Sequence, residues 1–164
     1  MLSIILATDL NGCIWKDNRL CWDLKKDLNF FSEKTRWQIV IMWKNTYLSL
    51  PEQSRPLSWR INFVVSKTLQ DEKVKVFNNL ENAIQQAKQL NKEIFLIWGK
   101  SIYEVWINIA DIVYLTQIEE KFNCNVCLSK NFFSKLNQNF ELNTKSNIFN
   151  ENWIKFRFLK FIRK

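Results

Sequence analysis

The 164-residue chain contains no histidine. That absence excludes Ser-His-Asp and Cys-His nucleophilic pairs and every metal site built on imidazole. Acid–base chemistry is left to Asp, Glu, Lys, Tyr, Cys or water. Glycine and proline are also scarce, with two of each, where average usage gives roughly eleven and eight. Glycine supplies positive φ and close backbone approach, so tight turns and phosphate cradles are hard to build here. The dinucleotide fingerprint G-x-G-x-x-G is missing. No apolar run approaches the roughly 18 residues of a membrane helix. The first ten residues lack a basic flank and a small-residue cleavage site, which argues against a secretory signal. The expected setting is cytoplasmic.

What is present is a hydrophobic fraction of 47%, a charged fraction of 24%, a net charge of +8 and eight tryptophans. This suits one domain, residues 1–164, with a substantial core. The positive charge attracts anions in general. No zinc-finger spacing, helix-turn-helix or RNP-like aromatic motif turns that attraction into nucleic-acid recognition. Cys124-Asn125-Val126-Cys127 is a C-x-x-C without the strand-to-helix context of a redox motif. With Cys13 and Cys21 it lacks zinc-knuckle spacing, so four unpaired thiols and no metal site are expected.

Residues 1–8 are an apolar run bounded by Asp9-Leu10-Asn11-Gly12 and read as a buried strand. Residues 9–23 read as a long loop. Asp23 is placed to cap a helix from Leu24, whose apolar face carries Leu24, Leu28 and Phe31. Further strands are expected at 38–42, 61–66, 74–77, 93–98 and 111–118. Helices are expected at 45–50, 80–90 and 100–106. A strand at 153–162 would form a hairpin with the segment near Phe140. Strands alternating with helices indicate an α/β fold, a predominantly parallel central sheet with flanking helices and a C-terminal antiparallel hairpin.

Asp27 shares the apolar face of the first helix. It either favours the helix dipole from the first turn or lines a pocket. In a pocket its carboxylate can accept hydrogen bonds from an aminopyrimidine-like edge, or pass a proton, with burial raising its pKa. Two strand ends run into helix starts with a cation and a hydroxyl, Met42-Trp43-Lys44-Asn45-Thr46 and Trp98-Gly99-Lys100-Ser101. Free N–H groups there favour phosphate; the alternative for Lys44 and Lys100 is solvated surface charge.

Taken in order, the segments 5–7, 11–24, 27–31, 40–47, 55–60, 95–103 and 114–116 resemble the dihydrofolate reductase family. The resemblance covers nearly the whole chain and is strongest over 1–118. It implies an enzyme reducing 7,8-dihydrofolate to 5,6,7,8-tetrahydrofolate with NADPH, in one-carbon metabolism, acting as a monomer without nucleic acid or membrane. It implies that Asp27 holds the pterin, that Trp22 holds an ordered water beside it, and that Thr116 supports Asp27. Ile5, Ala7, Leu28, Phe31, Leu50, Leu57 and Ile97 would line the folate cleft, and Arg60 would pair with the substrate's glutamate carboxylate, a bidentate task. Ala7, Ile14, Lys44, Thr46, Ser66, Lys67, Gly99, Lys100, Ser101, Ile102 and Tyr103 would receive NADPH. Residues 9–23 would close over the nicotinamide.

The chain departs from the family at four glycines, where it has Trp15, Trp43, Trp59 and Trp98, and at a proline, where it has Cys21. In the family the peptide corresponding to Trp98–Gly99 is cis. Two alternatives to a working reductase follow: the same fold with impaired NADPH binding, folate binding being the better preserved, or a basic RNA-binding module. Gly to Trp and Gly to Cys are each one first-base codon change, so a biased mutational process or a misread codon would produce this pattern.

Overall fold

A computed structural model describes residues 1–17 and 19–164. The described elements run β1 (Leu2–Thr8), β2 (Cys13–Lys16), β3 (Arg19–Leu20), α1 (Lys25–Thr35), β4 (Ile39–Trp43), α2 (Lys44–Ser49), β5 (Ile61–Val65), β6 (Lys75–Phe77) and α3 (Leu80–Lys88). They continue with β7 (Ile94–Ile97), α4 (Lys100–Trp106), β8 (Ile112–Ile118), β9 (Val126–Cys127), α5 (Lys130–Asn139), β10 (Phe140–Lys145), β11 (Phe149–Glu151) and β12 (Ile154–Arg163).

The main sheet has the order β10-β12-β8-β1-β7-β4-β5-β6, with β11 on β12. From β8 to β6 the pairs are parallel; β12 runs antiparallel to β8, β10 and β11. This is the expected α/β architecture. The central strands β4 and β7 are apolar in every position because both faces are covered. Side chains alternate along β1: Ile4 joins a core with Ala83, Ile84 and Ala87 of α3 and Phe132 of α5, while Ile5 joins one with Tyr47 of α2 and Phe31 of α1.

Four expectations need correction. The stretch 9–23 contains the β2–β3 pair, and β2 also pairs with β9 in a three-stranded sheet; Asn18, inside that stretch, lies outside the described residues. Helix α1 begins at Lys25 with Leu24 as N-cap and no side-chain cap from its own segment. Glu151 of β11 accepts from the backbone N–H groups of Lys25 (2.7 Å) and Lys26 (3.1 Å) instead, satisfying two of the helix's orphan donors from far along the chain. Helix α5, whose Phe132 N–H donates to the capping Ser129 Oγ, falls outside the expected helices. Finally, the cysteines are not free thiols: Cys13 bonds Cys127 and Cys21 bonds Cys124, because the β2–β9 pairing brings these two distant segments together.

Candidate active site

The floor of the site is built where β1, β8 and α1 meet. Ala7 and Thr116 are register partners on neighbouring parallel strands. Helix α1 crosses their C-terminal ends and delivers Asp27, Leu28, Phe30 and Phe31, one turn's worth of side chains. The Thr116 hydroxyl donates to Asp27 Oδ1 at 2.6 Å. Around this pair stand Ile5, Leu6, Ala7, Ile14, Leu20 and Tyr103, so the carboxyl group is walled by apolar side chains. Burial raises the proton affinity of Asp27 above the usual carboxylate range. The Thr116 hydroxyl and the Trp22 indole pull it partly back, and the Glu151 charge pushes it up again. Trp22 is buried, and its Nε1 makes no hydrogen bond to protein although it lies close enough to act on Asp27. The arrangement offers a flat polar ligand an acceptor that holds a proton more readily than an ordinary carboxylate.

A second, open cleft of about 440 Å³ lies across β4–α2 and β7–α4. Lys44, Asn45, Thr46, Gly99, Lys100 and Ser101 line it, together with Trp15, Trp43 and Trp98. Helices α2 and α4 have six and seven residues, so the two lysines rather than long helix dipoles must supply attraction for an anion.

Trp98 borders both clefts. Its indole stacks on Phe31, with centroids 4.8 Å apart and planes at 23°. Its carbonyl accepts a hydrogen bond from the Thr46 hydroxyl, and its N–H donates to Tyr103 Oη (2.6 Å), whose hydroxyl donates in turn to Ile5 O at 2.9 Å. The Trp98–Gly99 peptide is trans; the cis bond in the described chain is Arg55–Pro56. With the indole in place the Asp27 cleft keeps only about 30 Å³, a tenth of the roughly 300 Å³ at the low end for small-molecule sites. The Asp27 side is thus the narrower of the two clefts.

Indoles crowd the place where the nicotinamide end of NADPH would lie. Hydride transfer needs the reacting carbons roughly 3–3.5 Å apart, and Trp98 stands between the two clefts. Trp43 crowds the same passage: a Cβ on Gly99 would meet Trp43 Cδ1 at 3.1 Å, and Trp43 Nε1 is buried without a partner.

Other expected residues are placed as follows. Leu50 and Ile97 are buried in the core beneath Phe31 and Leu57 rather than lining the Asp27 cleft. Leu57 and Arg60 border a separate open groove. Arg60 donates to Thr35 Oγ1 (3.1 Å), Ser32 Oγ (2.9 Å) and Ser58 O (2.7 Å), so it is held against the end of α1. Ser66 is engaged by the backbone N–H groups of Thr68 and Leu69, and Lys67 is exposed; neither lines the cofactor-side cleft. Ile102 is fully buried, and Tyr103 faces the Asp27 side. Phe30 was missed, although its spacing of three from Asp27 is a helical signal. Glu151 carried no local signal.

A family model described as dihydrofolate reductase matches residues 1–163. A bifunctional dihydrofolate reductase-thymidylate synthase of Paramecium tetraurelia is 38% identical over 165 aligned residues, covering 99% of this chain and 34% of that protein. The chain thus spans about a third of that relative. A dihydrofolate reductase of Haemophilus influenzae is 35% identical over 82% of this chain and 79% of its own length. The solved dihydrofolate reductase of Enterococcus faecalis, complexed with NADP(H) and RAB-propyl, superposes with a TM-score of 0.86 at 25% identity, covering 100% of this chain and 96% of that one.

Proposed function

The chain belongs to the dihydrofolate reductase family, and we propose that it reduces 7,8-dihydrofolate to tetrahydrofolate at Asp27, with NADPH as the reductant. The observation that carries this reading is one carboxyl group, hydrogen-bonded to Thr116 and enclosed by apolar side chains. Asp27 accepts hydrogen bonds from the amino group and ring nitrogen of the pterin and, with its raised proton affinity, keeps a proton available near them. The unpaired indole N–H of Trp22 supplies a donor beside the same carboxyl group. Arg60, braced by Thr35 and Ser32 on a separate groove, is the cation offered to the substrate's glutamate carboxylate. Lys44, Thr46, Lys100 and Ser101 suit the cofactor's phosphates.

A second reading has its own observation. Trp15, Trp43 and Trp98 line the cofactor-side cleft, so the chain as written keeps the fold and binds NADPH poorly. Trp59 lies away from that cleft, beside Arg60. The test follows NADPH absorbance with dihydrofolate in Trp98→Gly and in Trp98→Gly/Asp27→Asn. Turnover in the first and its loss in the second are expected. Trp98→Gly protein that binds NADPH yet never oxidises it with dihydrofolate would sink the reading.

A further inference from the structure

Seven described residues other than glycine adopt positive φ: Asp17, Asn91, Asn152, Trp37, Trp59, Trp98 and Trp153. The first three are the residue types that tolerate the left-handed region, through short polar side chains. The other four are all tryptophan, whose bulk makes that region an outlier. Half of the chain's eight tryptophans thus sit where the backbone asks for glycine.

Two of these positions belong to turns whose class fixes the residue. Gln38 N donates to Thr35 O at 3.0 Å, Arg36 has φ −60° and ψ 130°, and Trp37 has φ 65°. That is a type II turn, which takes glycine at its third residue. Glu151 pairs with Ile154 across the β11–β12 hairpin, leaving the two-residue loop Asn152-Trp153 with φ 54° and 66°. That is a type I′ hairpin, whose preferred pair is Asn-Gly. Neither indole is buried: Trp153 is 91% exposed, and Trp37 is 54% exposed, meeting the Trp59 ring edge-on at 5.0 Å on the surface. Trp59, at φ 64°, is 62% exposed. Trp98, at φ 49°, borders both clefts, as Trp15 does. Trp22 behaves differently: it is buried, packs edge-on against Phe122 at 5.7 Å, and lies outside the left-handed region.

We propose that residues 37, 59, 98 and 153 are glycine in the protein its own cells make, because one triplet written as tryptophan is decoded there as glycine. The backbone at all four positions then matches its residue, the scarcity of glycine is relieved, and the passage between the clefts opens at residue 98. The inference rests on backbone conformation and not on the reductase reading.

The deciding experiment is peptide sequencing by mass spectrometry on protein isolated from the organism that carries the gene, read beside the gene itself. Glycine at all four positions and tryptophan at 22 are expected, with the four sharing a triplet that differs from the one at Trp22. Tryptophan at these positions, or one triplet throughout, overturns the proposal. Glycine in a protein without reductase activity would leave it standing and remove the functional reading. Two synthetic chains provide a second check. The one with glycine at 37, 59, 98 and 153 is expected to melt several degrees higher than the chain as written; an equal or lower melting temperature counts against the proposal.

Discussion

The floor of the Asp27 cleft and the connections around it follow opposite rules. On the floor, residue type and environment agree at every level. Ile5, Ala7 and Thr116 come from buried strands, α1 presents Asp27 and Phe31 from adjacent turns, and the one charged group has a hydrogen-bond partner. In the connections, the turn after α1, the passage from β7 to α4 and the β11–β12 hairpin each place an indole on a left-handed backbone. A sequence consistent at all levels specifies its structure, and local conflicts mark places where something else is at work. Here the conflicts share one residue type, so a single cause accounts for them.

Removing the carboxylate is the strongest way to sharpen the contrast. In a Trp98→Gly background, Asp27→Asn is expected to lower kcat/KM for dihydrofolate by about 10²–10⁴-fold, the usual worth of a positioned acid. NADPH affinity should hold, since Asp27 lies outside the cofactor-side cleft. Trp98→Gly comes next. It should tighten NADPH binding by about 100-fold, equivalent to about 2.7 kcal/mol, as read by titration calorimetry. An unchanged affinity would mean the indole swings clear at no cost and is no barrier. The third effect is smaller. Trp153→Gly should stabilise the fold by about 1 kcal/mol, since a left-handed conformation costs a non-glycine residue roughly 1–2 kcal/mol. For a chain of this length that is a rise of about 2–4 °C in Tm. Trp22→Gly should go the other way by about 3–5 kcal/mol, the cost of emptying a buried aromatic site. Equal effects of the two would erase the distinction between the regions.

The sheet and most helices were legible because their signals are local. Apolar runs mark β1, β4 and β7, and period-3.6 spacing marks α3. Asp27 was legible as a candidate for the same reason, a charge on an apolar helix face, and its link to Thr116 came only through the family resemblance. What was not legible depends on pairing between distant segments. Glu151 caps α1 across more than a hundred residues, and the β2–β9 pairing that joins Cys13 to Cys127 has a bulge and only short strands to announce it. Helix α5 was hidden by low overall hydropathy among Asn and Lys. The positive φ of Trp37 and Trp153 was unreadable because tryptophan, unlike glycine, does not advertise a turn.

The last prediction concerns acidity and tests whether the floor is as dry as its residues imply. Burial raises the folded-state proton affinity of Asp27, so between the unfolded and folded pKa the native protein binds more protons than the unfolded chain. Stability contributed by this residue is therefore fully present at low pH and declines as pH rises from the ordinary carboxylate range through the folded value. The slope is at most about 1.4 kcal/mol per pH unit for one proton. Asparagine keeps an acceptor for the Thr116 hydroxyl but cannot ionise, so Asp27→Asn should lose that decline while leaving the rest of the pH profile alone. Denaturant melts of the two proteins across the acid to neutral range measure the difference. Glu151→Gln should shrink the decline without abolishing it, because it removes the like charge that adds to the effect of burial. A parallel pair of curves for the native and Asp27→Asn proteins would place the carboxyl group in contact with bulk water, and the enclosed floor would lose its chemical meaning.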